Sequence, residues 1–362
     1  MTNSLEKARK EINRIDKEMA KLFEERMGCA EVIAEYKKER GLPILDEQRE
    51  KEIIKENSQL IEDDVIREYY VSFLKNNMAT SRAYQARIIA GARVAYSGTE
   101  GAFAHIAAKK LFPNAEIIAY GDFKSAYRAV ETGECDLCVL PVENSYNGEV
   151  GQVTDLMFSG SLYVNRMMEL AVDQALLGIP GANLDDIKTV ISHPQALGQC
   201  AEYIRRKGFS TEEHSNTALA AKRVCELNDK SIAAIASEDA AEIFGLEVIE
   251  KNINEARSNT TRFAVFSRVE AARSPKDFGT HSIILFTVRN EAGALAKAID
   301  VIGGHGFNMR TLRSRPMKEL LWEYYFYVEA EGNIKTEQGK EMMTELSKFC
   351  DKLKFVGSYV KY

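Results

Sequence analysis

Two groups of polar residues in this 362-residue chain have types and spacings that suit chemistry. The first lies in the opening quarter, where Arg9, Arg26, Lys37, Asp46, Arg49, Glu50, Ser81 and Gln85 are set among apolar residues at helical spacing. Asp46, Arg49 and Glu50 stand at i, i+3 and i+4, and Ser81 and Gln85 at i and i+4, so each set shares one helix face. Taken singly, they suit a salt-bridged surface as well as a site. The second group follows short apolar runs further along. Glu143, Asn144 and Ser145 stand in LPVENSYNGEV, where Gly148 permits a tight turn. Ser192, Gln195 and Gln199 occupy SHPQALGQC, Ser215 and Thr217 occupy SNTALAA, and Thr260, Thr261 and Arg262 open NTTRFAVFSRV. Gly98 and Gly101 in VAYSGTEG form a turn able to bind an anion through backbone amides. These are hydroxyls and amides, which also serve in turns and helix caps. His193, next to Pro194, reads as a turn residue.

Three segments must position these groups. In residues 1–90, Leu5, Ile12, Ile15, Met19, Leu22 and Phe23 recur at helical spacing, predicting a long helix to about Lys38. The turn ERGLPILD follows, then a second helix from about Asp46 and a third from about Asp63. From Arg93, the apolar runs ARVAYSG, CDLCVLPVEN, KTVISHPQ and SIAAIAS alternate with helical stretches such as KSAYRAVETG and TALAAKRVCELN, the pattern of an α/β domain with largely parallel strands. After a linker at AARSPKDFG, the tail reads β-α-β-β-α-β over about 80 residues, a split βαβ sandwich. The boundaries are therefore placed at 1–90, 91–272 and 273–362.

Bulk properties remove several classes. A net charge of −6 argues against a nucleic-acid binder, and no run of 18 apolar residues offers a membrane span. The charged opening MTNSLEKARKEINRIDKE lacks the apolar centre of a signal peptide, so a cytoplasmic location with reduced thiols is expected. Cys135 and Cys138 form one CxxC that enters an apolar run without a second pair, which reads as buried, inert thiols. No metal or cofactor is expected.

ARKEINRIDKEMAKLFEERMGCAEVIAEYK, LPILDEQRE and SRAYQ together resemble the all-helical chorismate mutases. The resemblance implies that Arg9 and Arg26 bind the carboxylates of chorismate and that Lys37 and Gln85 address its ether oxygen. Asp46, Arg49, Glu50 and Ser81 would complete the pocket. Arg9 and Arg26, seventeen residues apart, lie roughly 25 Å and roughly 100° apart on a straight helix, too far for one small dicarboxylate. If both are ligands, one comes from a second chain. An intramolecular rearrangement needs a held conformer and fixed donors for the growing charge, with no nucleophile. The neutral Gln85 predicts activity that needs no protonated carboxyl at the ether oxygen.

From Arg93 to about Arg268 the motif set, with NTTRF, resembles prephenate dehydratase. The resemblance implies two lobes like those of periplasmic binding proteins and a cleft lined by Asn144, Ser192, Gln199 and Thr261, with Ser215 and Thr217 contributing hydroxyls. Prephenate loses CO₂ and its ring hydroxyl, so a donor near the departing oxygen is the essential group. Thr261 is assigned that role, Asn144 and Gln199 orient the carboxylates, and Arg262 anchors the start of the strand or an anion. Thr260 should point the opposite way. One departure is Ala104, where the family usually has Ser.

The tail, with Gly293, Ala294 and Leu295 in AGALAKAIDVI and Ser314, Arg315 and Pro316 after GFNMRTLR, resembles an ACT regulatory domain. It implies a phenylalanine site at a dimer interface, to which Asn308 is also assigned. Here Arg313 stands where an acid commonly precedes Ser-Arg-Pro. The leading expectation is therefore a bifunctional enzyme acting on chorismate and prephenate, inhibited by L-phenylalanine and assembled as a homodimer or homotetramer. A non-catalytic amino-acid sensor and an arogenate dehydratase are the alternatives.

Overall fold

The computed structural model describes residues 2–255, 259–271, 280–317 and 323–360. All but Ala271 of the expected linker lies outside the described residues, as does Trp322 in the expected strand start. The chain forms two compact units, 1–92 with 114–116, and the remainder from 93 onward.

The first unit is three helices, α1 (Thr2–Arg40), α2 (Glu47–Ser58) and α3 (Asp64–Ala90). Their starts are set by side-chain caps: Asp46 accepts from the Arg49 amide at 3.0 Å and Asp63 from the Ile66 amide at 2.8 Å. The apolar stripe of α1 is largely uncovered. Leu5, Ile12, Leu22 and Phe23 are 53, 55, 63 and 45% exposed, while Ala30 and Ala34 are buried.

The second unit begins with β1 (Arg93–Ser97), α4 (Phe103–Leu111), β2 (Glu116–Tyr120), α5 (Phe123–Glu131), β3 (Leu137–Asn144), β4 (Gly148–Glu149), α6 (Gly151–Ser159) and β5 (Tyr163–Ala171). The chain then crosses to a second lobe of β6 (Ala175–Gly178), β7 (Thr189–Ser192), α7 (Pro194–Gln199), α8 (Ala201–Lys207), β8 (Ser210–Glu213), α9 (Thr217–Leu227), β9 (Ile232–Ala236), α10 (Glu238–Phe244) and β10 (Glu247–Glu250). It returns to the first lobe as β11 (Thr260–Ser267). The two crossings run side by side, the Val172 amide bonding Asn259 O at 2.8 Å and the Ile253 amide bonding Gln174 O at 3.0 Å.

The two sheets have the orders β2-β1-β3-β11-β5 and β10-β6-β9-β7-β8. Strands β1 and β3 pair in parallel, as do β7 with β8 and with β9. The remaining registered pairs of these sheets, those of β11, β6, β10 and the β3–β4 hairpin, are antiparallel, so the sheets are mixed where largely parallel strands were expected. A chain that crosses to the other lobe and comes back re-enters its first sheet in the opposite sense, which the local apolar pattern does not record.

The tail is β12 (Thr280–Thr287), α11 (Ala294–Gly304), β13 (Asn308–Pro316), β14 (Tyr324–Glu331), α12 (Glu337–Leu346) and β15 (Lys352–Val360), in sheet order β13-β14-β12-β15. One face of this sheet packs under α11 and α12 around Ile284, Phe286, Val328 and Met342. The other joins the core of the first lobe, where Ile283, Leu285, Tyr325 and Val356 share a cluster with Leu140, Met157, Val164 and Phe266. The alternate residues of each strand thus serve two cores. Helix α6 is held at its middle and its C-terminal end by this sheet: Arg315 bonds Asp155 Oδ1 at 3.0 Å, and Lys354 Nζ donates to Met157 O at 2.6 Å and to Gly160 O.

Candidate active site

The site in the second unit is built on the antiparallel pair β3–β11, in which Thr261 lies opposite Asn144. Side chains alternate along β11, so Asn259, Thr261 and Phe263 face one side and line a cavity of about 430 Å³. The first lobe adds Ser97, Ala104, Asn144, Gly148 and Glu149, the second His193, Gln195, Gln199, Ser215 and Thr217, and the crossing segment Gln174. Of the residues expected at the substrate, Asn144, Gln199, Ser215, Thr217 and Thr261 are thus brought together.

Asn144 is fully occupied. Its Oδ1 accepts from the backbone amides of Tyr146 at 3.0 Å and Asn147 at 2.9 Å, and from Asn147 Nδ2 at 3.1 Å. Three donors on the oxygen fix which way the amide points. Its Nδ2 therefore donates to Asn259 Oδ1 at 2.8 Å and to Thr261 Oγ1 at 2.9 Å. No capacity is left for a substrate carboxylate, the task first expected of Asn144. The Thr261 oxygen receives a proton, and its own hydroxyl proton is left to be donated.

None of the described residues lining the cavity is Lys or Arg. Positive potential comes instead from helix starts: the first residues of α4 (Phe103, Ala104) and α9 (Thr217), with its cap Asn216, line the cavity. The dipoles of these helix starts favour an anion. A larger cavity of about 590 Å³ carries Asp173, Glu238, Asp239 and Glu242 against Lys110, a charge balance that repels a dianion. The smaller cavity is the one suited to a carboxylate substrate.

Three expectations are corrected, for Arg262 only the alternative that it holds an anion, since it does anchor its strand. Ser192 is fully buried, donates to Ile235 O at 2.5 Å and does not line the cavity. Arg262 points to the other face of β11, away from the cavity, because it follows Thr261 by one residue. It bonds Glu329 at 2.8 and 3.1 Å, Tyr359 OH at 2.6 Å and Glu143 at 3.3 Å, tying the strand to the tail sheet. The Gly98–Gly101 turn spends its amides internally, Gly98 on Tyr120 O at 2.9 Å and Gly101 on His105 Nδ1 at 3.2 Å. Burial holds His105 below its ordinary pKa, consistent with a neutral ring accepting there. His193 caps α7, its Nδ1 accepting from the Gln195 amide at 3.2 Å, and also lines the cavity. Sequence reasoning missed Gln174, which lies in a crossing without a motif, and Asn259, whose place two residues before Thr261 was the available signal. Cys135 and Cys138 are buried, and burial raises both thiols.

In the helical unit, Arg26 donates to Ser81 Oγ, joining α1 to α3, and Lys37 Nζ donates to Ile44 O at 2.5 Å. Gln85 is buried with its amide oxygen unpaired among the described residues, which marks it out, since buried polar atoms are ordinarily satisfied. Asp46 serves as the α2 cap, Glu50 pairs with Arg82, and Arg49 lies 3.6 Å from Glu52. Arg9 is exposed on the far part of α1.

In the tail, Leu295 lines a cavity of about 230 Å³ with Asn290, Glu291, Tyr324 and Phe326 at the start of α11. Gly293, at φ 82°, precedes Ala294 there, in a conformation that favours glycine. Ser314 and Pro316 pair with Phe326 and Tyr324 of that lining. Asn308 lies at the other end of β13, ~26 Å from Pro316 at strand rise, and bonds Glu331 at 2.8 Å. Within one protomer it is therefore not brought to the same place, and neither is the Arg315 guanidinium, which is directed at Asp155 and Glu149.

A cleft that offers a small anion neutral donors and one oriented hydroxyl is suited to a compact carboxylate, and the chain carries a helical unit besides. Residues 8–86 match the family model for chorismate mutase type II and residues 94–271 that for prephenate dehydratase. A bifunctional chorismate mutase/prephenate dehydratase from Aquifex aeolicus is 31% identical over 366 residues, spanning 99% of this chain and 98% of that protein. An Arabidopsis thaliana arogenate dehydratase/prephenate dehydratase is 35% identical over 280 residues, 74% of this chain and 72% of that protein. Among solved structures, the prephenate dehydratase of Arthrobacter aurescens in complex with L-Phe matches with TM-score 0.68 and 25% identity, over 74% of this chain and 90% of that one. The chain belongs to the bifunctional chorismate mutase/prephenate dehydratase family.

Proposed function

We propose that the helical unit rearranges chorismate to prephenate and that the cleft converts prephenate to phenylpyruvate, two consecutive steps toward phenylalanine. The observation that carries the second step is the fixed Asn144 amide donating to Thr261. In the reaction the C–C bond to the ring carboxylate breaks, and its electron pair enters the ring as CO₂ departs. The C–O bond to the ring hydroxyl then breaks as the ring aromatises, and the oxygen leaves as water after taking up one proton. Thr261, with its proton free, donates a hydrogen bond to that oxygen and stabilises its growing charge, and the proton that completes the water comes from solvent. Gln199, Ser215, Thr217 and the starts of α4 and α9 hold the carboxylates.

In the helical unit Arg26, held by Ser81, binds a carboxylate, and Lys37 with Gln85 stabilises the ether oxygen. A second copy supplies Arg9 and covers the apolar stripe of α1. The tail acts as an ACT domain that binds phenylalanine at the start of α11 and lowers cleft activity. The protein works in the cytoplasm without a cofactor. An assay following chorismate through prephenate to phenylpyruvate, with and without phenylalanine, tests the whole reading. Prephenate formation without phenylpyruvate in the wild type would remove the cleft assignment, and an isotherm showing no phenylalanine binding at millimolar ligand would remove the regulatory one.

A further inference from the structure

Arg313 and Arg315 alternate on β13 and share the face turned to the first lobe. Arg315 pairs with Glu149 Oε1 and, at 3.0 Å, with Asp155. Arg313 pairs with Glu143, and its Nη1 lies 3.7 Å from Glu149 Oε2. Among the described residues that oxygen is buried without a hydrogen-bond partner, so Arg313 joins Arg315 in compensating the Glu149 charge. Glu143 has a second partner in Arg262 at 3.3 Å, and Glu149 keeps Arg315 on its other oxygen, so loss of Arg313 weakens the compensation of Glu149 and leaves Arg315 in place.

Glu149 matters because it is the one Asp or Glu among the described residues lining the cleft, and no Lys or Arg lines it. The net charge of the wall is therefore decided by how well Glu149 is neutralised from behind. Prephenate enters as a dianion. The analogue with an amino group in place of the side-chain keto oxygen carries the same two carboxylates and an ammonium, one negative charge fewer.

We infer that Arg313 is a specificity-determining residue of the cleft, setting through Glu149 the preference for the dianion over its amino analogue. The inference rests on the cleft's being the dehydratase site. Removing the one positive charge of Arg313, ~10 Å from the substrate at an effective dielectric between about 20 and 80, changes the ratio of the two substrates by about 2- to 15-fold.

The test compares wild type, Arg313→Gln, Arg313→Lys and the double variant Arg313→Gln/Glu149→Gln, measuring kcat/KM for prephenate and arogenate, with chorismate turnover as the folding control. If arogenate turns over too slowly, its inhibition constant against prephenate takes its place. Arg313→Gln should lower the prephenate-to-arogenate ratio about 2- to 15-fold, chiefly through KM, while Arg313→Lys stays near wild type and the double variant recovers the ratio. An unchanged ratio, or an equal fall for both substrates that Glu149→Gln does not reverse, overturns the inference. Prephenate dehydration that survives Thr261→Ala would instead overturn the site assignment beneath it.

Discussion

At the scale of single residues, Asn144 and Thr261 divide their tasks by hydrogen-bond valence. The amide directs its two protons at Asn259 and Thr261, with the Thr260 carbonyl a longer third acceptor at 3.3 Å, so the threonine must turn its own proton elsewhere. Thr261→Ala is expected to lower dehydratase kcat by ~10²–10³-fold while mutase turnover stays intact, Thr261→Ser retaining more activity. Thr260→Ala should be mild, since that side chain does not line the cavity. Asn144→Asp is the sharper probe: a carboxylate would accept the Thr261 proton and withdraw it from the substrate. Steady-state kinetics of purified variants on prephenate check all four, and equal losses at Thr260 and Thr261 would contradict the strand geometry.

At the scale of elements, the tail sheet and the β3–β11 pair are joined by a buried charge. Burial by itself raises the Glu329 carboxyl, but the hydrogen bonds and charge of Arg262 outweigh it and leave the group below its ordinary 4.5. The stability this group contributes is present above its unfolded value and is lost as pH falls through the lower folded value. Glu329→Gln should cost about 2–4 kcal/mol at pH 7, because Arg262 loses its nearer carboxylate and keeps only Glu143 at 3.3 Å, and should flatten the loss of stability below pH ~4.5. Urea midpoints at pH 7 and at pH 4 measure both. A second element contact is steric: a Cβ on Gly357 of β15 would overlap the Val164 carbonyl on β5. Gly357→Ala is expected to destabilise the second unit by about 1–3 kcal/mol, read as a lower denaturant midpoint, with mutase activity unaffected.

At the scale of the whole molecule, the second copy proposed above would account for both the exposed stripe of α1 and the separation of Arg9 from Arg26. Arg9→Ala and Arg26→Ala should each lose mutase activity. If each site draws these residues from two chains, unfolding and refolding a mixture of the two variants restores about a quarter of wild-type activity, since half the dimers are mixed and each has one intact site. No recovery on mixing would mean that both arginines act within one chain or that one of them does not act.

The apolar periodicity of the sequence was enough to set the three helices, the alternating strands and the βαββαβ tail, because those elements form from local pattern and caps such as Asp46 and Asp63. The motif residues Asn144, Gln199, Ser215, Thr217 and Thr261 also lie together, as the resemblance to prephenate dehydratase implied. What the sequence did not determine was facing. Ser192 and Arg262 sit beside cleft residues in the chain, yet one bonds a neighbouring strand and the other reaches the tail sheet. One position along a strand reverses the face, and only the packed sheets decide which face meets the cleft. The same holds for the Thr261 hydroxyl first singled out as a donor. Its residue type could be read directly, but its freedom to donate depends on three hydrogen bonds to Asn144 Oδ1, a long-range constraint that exists only once β3 and β11 have paired.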